Sequence, residues 1–66
     1  MQINEAMKKW RKTRKISQTE VANAIGMQQN SYSRYETGEN IPSADKIKAI
    51  AEKFGADANE LLGIEK

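Results

Sequence analysis

There is no cysteine and no histidine among the 66 residues, and proline occurs once, at Pro42. Without cysteine there is no disulfide framework and no thiolate to bind a metal or attack a substrate. Without histidine, the commonest general base and the commonest zinc ligand are missing as well. Long apolar runs are also lacking, so no segment is expected to span a bilayer. Met1 to Trp10 is too mixed and charged for a secretory leader, and a cytoplasmic chain is the expectation. Sixty-six residues make one domain, 1–66, near the lower size limit for a self-sufficient core. Small helical bundles fold at this size when their helices pack well, and dimerisation helps.

What remains argues against catalysis. A hydrolase would need paired carboxylates or a serine–lysine pair in a cleft. Here the carboxylates read as helix caps or surface charges, and Ser17 and Ser43 as N-caps. No glycine-rich phosphate loop or acidic metal cluster is present in the sequence. No enzyme activity, cofactor or metal is expected.

The net charge of +2 is small, but it is unevenly spread. Residues 1–36 carry seven cations against three carboxylates, while residues 37–66 carry four against six. That asymmetry would orient the chain towards a polyanion. Taken alone, the basic run KKWRKTRK reads equally as a solvated helix face.

Apolar spacing and punctuation predict five helices and no strands. Ile3, Met7 and Trp10 share a stripe on a first helix, about Asn4 to Arg14, with Trp10 in the core. Ser17 and Glu20 form a capping box that starts a second helix bearing Val21, Ala22 and Ile25. Gly26 stands where a left-handed residue ends it. A third helix runs from Gln28 or Gln29 to about Thr37, stopped by Gly38. Ser43 caps a fourth helix with the stripe Ile47, Ile50, Ala51 and Phe54, ended by Gly55. Asp57 and Glu60 form a second capping box before a short helix carrying Leu61 and Leu62. Short connections make this a compact all-α fold.

The stretch Ser17–Gly38 organises the rest. Counting from Gln18, Ala22 is fifth, where two helices approach most closely, and Gly26 is ninth, in the turn. Val21, Ile25, Tyr32 and Tyr35 face inward, leaving Gln29, Asn30, Ser33 and Arg34 on the other side of the third helix. A pair joined in this way presents its second helix as a ridge that fits the major groove of DNA. An ordinary helical hairpin would satisfy the apolar positions equally well.

The register of Ser17-Gln18, Ala22, Gly26, Arg34, Glu36-x-Gly38, Pro42-Ser43 and Glu60-Leu61-Leu62 resembles the Cro and phage-repressor (Xre-like) helix-turn-helix family. The likeness covers about Met7 to Leu62. It departs at Tyr32 and Tyr35, where the family usually has aliphatic residues or tryptophan, and at Met27-Gln28, which replaces Val-Ser. The resemblance implies a five-helix lambda-repressor-like domain with its helix-turn-helix at about 17–38. It also implies base contacts from Gln28, Gln29, Asn30, Ser33 and Arg34. Gln and Asn suit adenine and Arg suits guanine, at about 1–3 kcal/mol of discrimination per bidentate pair. Phosphate contacts fall to Gln18, Asn40 and Ser43, while Tyr35 is open between a phosphate contact and the core. Arg11 and Glu36 are implied as a structural ion pair between the first and third helices.

The expected function is a sequence-specific regulator of transcription, acting as a repressor on double-stranded DNA. One such domain makes few base contacts, so a homodimer on two half-sites is expected, with Leu61, Leu62 and Ile64 as its seam. The rival reading is a protein-interaction or bridging module of the same fold.

Overall fold

Ile3, Met7 and Trp10 lie on one side of helix α1 (Ile3–Thr13) in the computed structural model, which describes residues 1–64. The four further helices are α2 (Gln18–Ala24), α3 (Gln29–Thr37), α4 (Ala44–Phe54) and α5 (Ala58–Leu62), with no strand among the described residues. The boundaries fall where local chemistry requires them. At α2, the Glu20 N–H donates to Ser17 Oγ (3.0 Å) and the Ser17 N–H to Glu20 Oε1 (3.4 Å), closing the capping box. At α4, Ser43 Oγ accepts from the Lys46 N–H (3.3 Å). At α5, Asp57 accepts the Asn59 N–H (2.9 Å), one residue earlier than the Glu60 N–H that a capping box would use.

The turn between α2 and α3 sets the angle of α3. Gly26 takes φ +72°, and the next residue, Met27, donates back to the Ala22 carbonyl (2.8 Å). This closure satisfies the last carbonyls of α2 and reverses the chain within three residues. A Cβ on Gly26 would meet nothing within 4 Å, so the turn needs its conformation and not its small size.

The same closure ends α1, but with a lysine. Lys15 has φ +58°, and the Ile16 N–H reaches the Arg11 carbonyl (3.2 Å) while the Lys15 N–H reaches that of Lys12 (3.0 Å). A left-handed conformation costs an L-residue about 1–2 kcal/mol, part of which glycine returns as extra freedom in the unfolded chain. Lys15→Gly should therefore stabilise the fold by about 0.5–1 kcal/mol. In thermal unfolding the melting temperature should rise by about 2–8 °C. An unchanged or lower value would contradict the left-handed turn.

Helix α1 packs against α3 and α5, α2 packs on α3 and touches α4, and α5 closes over α4. Met7, Trp10, Val21, Ala22, Tyr32, Tyr35, Ile47, Ile50 and Leu61 form the core. Trp10 meets Phe54 edge-on, with ring centroids 5.5 Å apart. Ala22 is fully buried, as a close approach of α2 to its neighbours demands.

Leu61 corrects the expected dimer seam. It is completely buried, whereas Leu62 is half-buried and Ile64 is 55% exposed. Neighbouring helical residues point about 100° apart, so Leu61 faces the centre of the core while Leu62 packs at its edge. Leu61 is thereby spent on the core and is unavailable to a partner.

Candidate nucleic-acid interface

Helix α3 divides sharply into two faces. Tyr32, Tyr35 and Glu36 are buried, with the two rings edge-to-face at 6.0 Å. Gln28, Gln29, Asn30 and Arg34 are exposed, and Ser33 is half-buried. Gln28 is the N-cap of α3 but makes no side-chain cap bond, which leaves its amide available. Arg34 lies 3.8 Å from Glu39, both well exposed, so this contact constrains it little.

The buried face is built around Glu36, the one charged residue in the core among the described residues. Arg11 grips its carboxylate with two donors, Nε to Oε2 (2.7 Å) and Nη2 to Oε1 (3.0 Å). The remaining arm of the guanidinium, Nη1, donates to the Ile16 carbonyl (2.9 Å). One side chain thus ties α1, the following turn and α3 together. The Tyr32 hydroxyl is buried beside Glu36 without reaching hydrogen-bond geometry, and Trp10 Nε1 is likewise buried without a partner.

Burial by itself would raise the Glu36 pKa, but the hydrogen bonds from Arg11 and Gln18, with the Tyr32 hydroxyl close by, outweigh it and hold the carboxyl below its usual range. The same ion pair raises Arg11 above its ordinary value, and Tyr32 is pushed far up, first by burial and then by Glu36. A carboxylate with a depressed folded-state pKa contributes stability that is present above its unfolded value, about 4.3. That stability is lost as pH falls through the lower, folded value. Acid unfolding should accordingly contain a Glu36-dependent loss beginning below about pH 4.3. It should be absent from the acid limb of the pH–stability curve of Arg11→Met/Glu36→Leu; an identical limb in that variant would contradict it.

Gln18 lies between the clamp and the exposed face. Its Nε2 donates to Glu36 Oε1 (3.1 Å), and its Oε1 accepts from Gln29 Nε2 (2.6 Å). A second N–H on Nε2 remains for a phosphate, together with the free backbone N–H groups at the start of α2. Sequence reasoning missed the connection to Gln29. The two residues are eleven apart on different helices, and only the crossing angle of α2 and α3 brings them together.

The flanking residues differ in availability. Ser43 and Asn40 are exposed; the Ser43 oxygen accepts the α4 cap bond and its hydroxyl proton is left for an external acceptor. The Asn40 backbone N–H closes the end of α3 on the Arg34 carbonyl (3.1 Å), and its side chain is left outside. Tyr35 is a core residue first, with 9% of its surface exposed, so only the tip of its side chain could reach a phosphate. The physical reason is its ring, which packs on Tyr32. Lys8, Lys12 and Lys15 are exposed on α1 and its turn. Arg14 lies over the Trp10 ring at 6.0 Å and donates to the Phe54 carbonyl (3.4 Å). No group of residues that could hold a metal ion occurs among the described residues, and no helix there is long and apolar enough to cross a membrane.

Residues 7–61 match the helix-turn-helix family. The chain is 36% identical to the antitoxin PezA of Streptococcus pneumoniae over 64 residues, 97% of this chain and 40% of that protein. It is 33% identical to the cryptic phage CTXphi transcriptional repressor RstR of Vibrio cholerae over 63 residues, 96% of this chain and 56% of that one. The HTH-type transcriptional activator BcrR of Enterococcus faecalis is 26% identical over 66 residues, 100% of this chain and 32% of that protein. This chain therefore spans little more than half, or less, of the curated relatives it matches. A transcriptional regulator from Listeria innocua shares the fold, with a TM-score of 0.83 at 23% identity, over 98% of this chain and 61% of that one.

Proposed function

Because the chain belongs to the helix-turn-helix family, in its Cro and phage-repressor (Xre-like) form, we propose that it is a cytoplasmic transcriptional regulator that reads an operator in double-stranded DNA. The repressor role follows the similarity to RstR. One observation carries the reading. Helix α3 exposes Gln28, Gln29, Asn30 and Arg34 on one side while a buried ion pair fixes its other side to α1. A polar helix held this rigidly suits base readout in the major groove, with Gln18, Asn40 and Ser43 on the flanking phosphates. In vitro selection from a random DNA pool should return a defined site, whose binding weakens steeply with salt. Recovery of no preferred sequence would defeat the proposal.

The regulator works as a homodimer through the groove between α4 and α5. Ile47, Ala51, Ala58 and Leu62 line it, with the exposed Lys48 and Glu52 beside them. Ile41, 78% exposed, adjoins it through Pro42. A two-fold contact places the same patch on both copies, and an antiparallel pair of α4 helices would set each Lys48 against the other's Glu52. The molecule measures 31 × 24 × 23 Å, so two copies side by side roughly match half-sites about 34 Å apart. Lys48→Glu should weaken dimerisation by about 5–30-fold, and adding Glu52→Lys should restore it. Sedimentation equilibrium measures this, or cooperativity between half-sites where the copies meet only on DNA. A single variant that dimerises like the parent would rule the groove out.

The likeness to an antitoxin favours a second reading, a module that binds another protein through this same groove. In that case α3 variants would leave its binding unchanged.

A further inference from the structure

We infer that Glu36, which lies in the core, selects the base that Gln29 reads, acting through Gln18. The inference rests on the reading of α3 as the recognition helix and adds to it a cause for one position of the operator.

An ionised carboxylate only accepts hydrogen bonds. Glu36 is held ionised by the Arg11 fork, so Gln18 must turn its NH2 group towards Oε1, at 3.1 Å. The Gln18 carbonyl then points the other way, where it accepts from Gln29 Nε2 at 2.6 Å. Gln29 in turn must spend one of its two N–H groups on Gln18. What it has left for DNA is one N–H and a free carbonyl oxygen. Three side chains from α2 and α3 therefore form a relay with a single permitted direction, and its origin is the charge on Glu36.

That remainder matches adenine, which offers an acceptor at N7 and a donor at N6 in the major groove. Guanine offers two acceptors, N7 and O6, and would face the Gln29 carbonyl with no donor of its own. With the relay reversed, Gln29 would accept from Gln18 and keep both N–H groups, which suits guanine at least as well. The relay thus discriminates against guanine. A glutamine free of the relay can turn both N–H groups towards guanine as well as pair with adenine, so it discriminates less between the purines. Glu36 and Gln18 are positioning residues in this scheme, and Gln29 is the one that meets the base.

The test uses the site selected by the parent chain. Gln29→Ala first identifies the base pair whose preference depends on Gln29. Adenine-to-guanine substitution at that base pair should weaken the parent by at least about fivefold. Gln18→Leu leaves the Arg11–Glu36 clamp in place, and Arg11→Met/Glu36→Gln replaces the carboxylate by an amide that can donate or accept. In both variants the adenine-to-guanine ratio at that one base pair should fall to within about twofold, while preferences read by Asn30 and Arg34 persist. Loss of the Gln18 phosphate contact would lower affinity for all sequences alike, so it leaves this ratio unaffected. Should the double variant fail to fold, Gln18→Leu decides the matter alone. A ratio unchanged in the folded variants overturns the relay while the regulator reading stands. A parent that selects no sequence at all overturns both.

Discussion

Arg11→Met is expected to remove about 3–5 kcal/mol of stability, the cost of leaving a buried charge without its partner. Glu36 retains only 2% of its side-chain exposure and Arg11 13%, so water cannot replace the guanidinium. A chain of 66 residues is stable by only about 3–10 kcal/mol. The substitution therefore consumes much of the margin. In thermal unfolding followed by circular dichroism, the melting temperature should fall by at least about 12 °C. Arg11→Met/Glu36→Leu should recover much of the loss, because apolar replacements of both partners avoid the orphaned charge. A melting point for Arg11→Met within a few degrees of the parent would mean that the pair is solvated and holds nothing. The result bears on function, since Arg11 is the tie by which α1 fixes the angle of α3.

Gln29→Ala/Arg34→Ala should have the opposite profile. Both side chains are exposed, and the Arg34 contact with Glu39 is long and solvated. Substitutions of this kind normally change stability by no more than about 0.5 kcal/mol. Sequence discrimination, by contrast, should fall by at least about 30-fold, since each bidentate contact is worth about 1–3 kcal/mol. Competition between the selected site and scrambled DNA measures this directly. Non-specific binding and most of its salt dependence should survive, because phosphate contacts made elsewhere supply them. Retention of full sequence preference would transfer base reading away from α3. Unchanged binding of a protein partner, with no effect on DNA, would favour the bridging reading.

These two experiments separate what holds the helix from what the helix says. Arg11 and Glu36 set the frame and do not themselves touch DNA, whereas Gln29 and Arg34 contribute little to the frame. Gln18 belongs to both groups, bonded to Glu36 on one side and Gln29 on the other. Its substitution should consequently alter both affinity and base choice.

The sequence by itself determined the five helices and most of their ends. Ser17, Glu20, Ser43 and the glycines at 26, 38 and 55 act within a few residues of where they stand, through cap bonds and positive φ. Such signals need no knowledge of the rest of the chain. The stripe on α1 and the split faces of α3 were legible for the same reason, as was the family to which the register belongs. Lys15 was not, because a lysine carries no local mark of a left-handed turn. Tertiary structure alone decided the remainder. Leu61 was buried completely and Leu62 only partly because of how α5 packs on α1 and α4. Tyr35 became core because Tyr32 lay beside it. The Glu36–Gln18–Gln29 relay exists because α2 and α3 cross at an angle set by Ala22 and Gly26. Hydrogen-bond direction propagates through space, and no spacing along the chain records it.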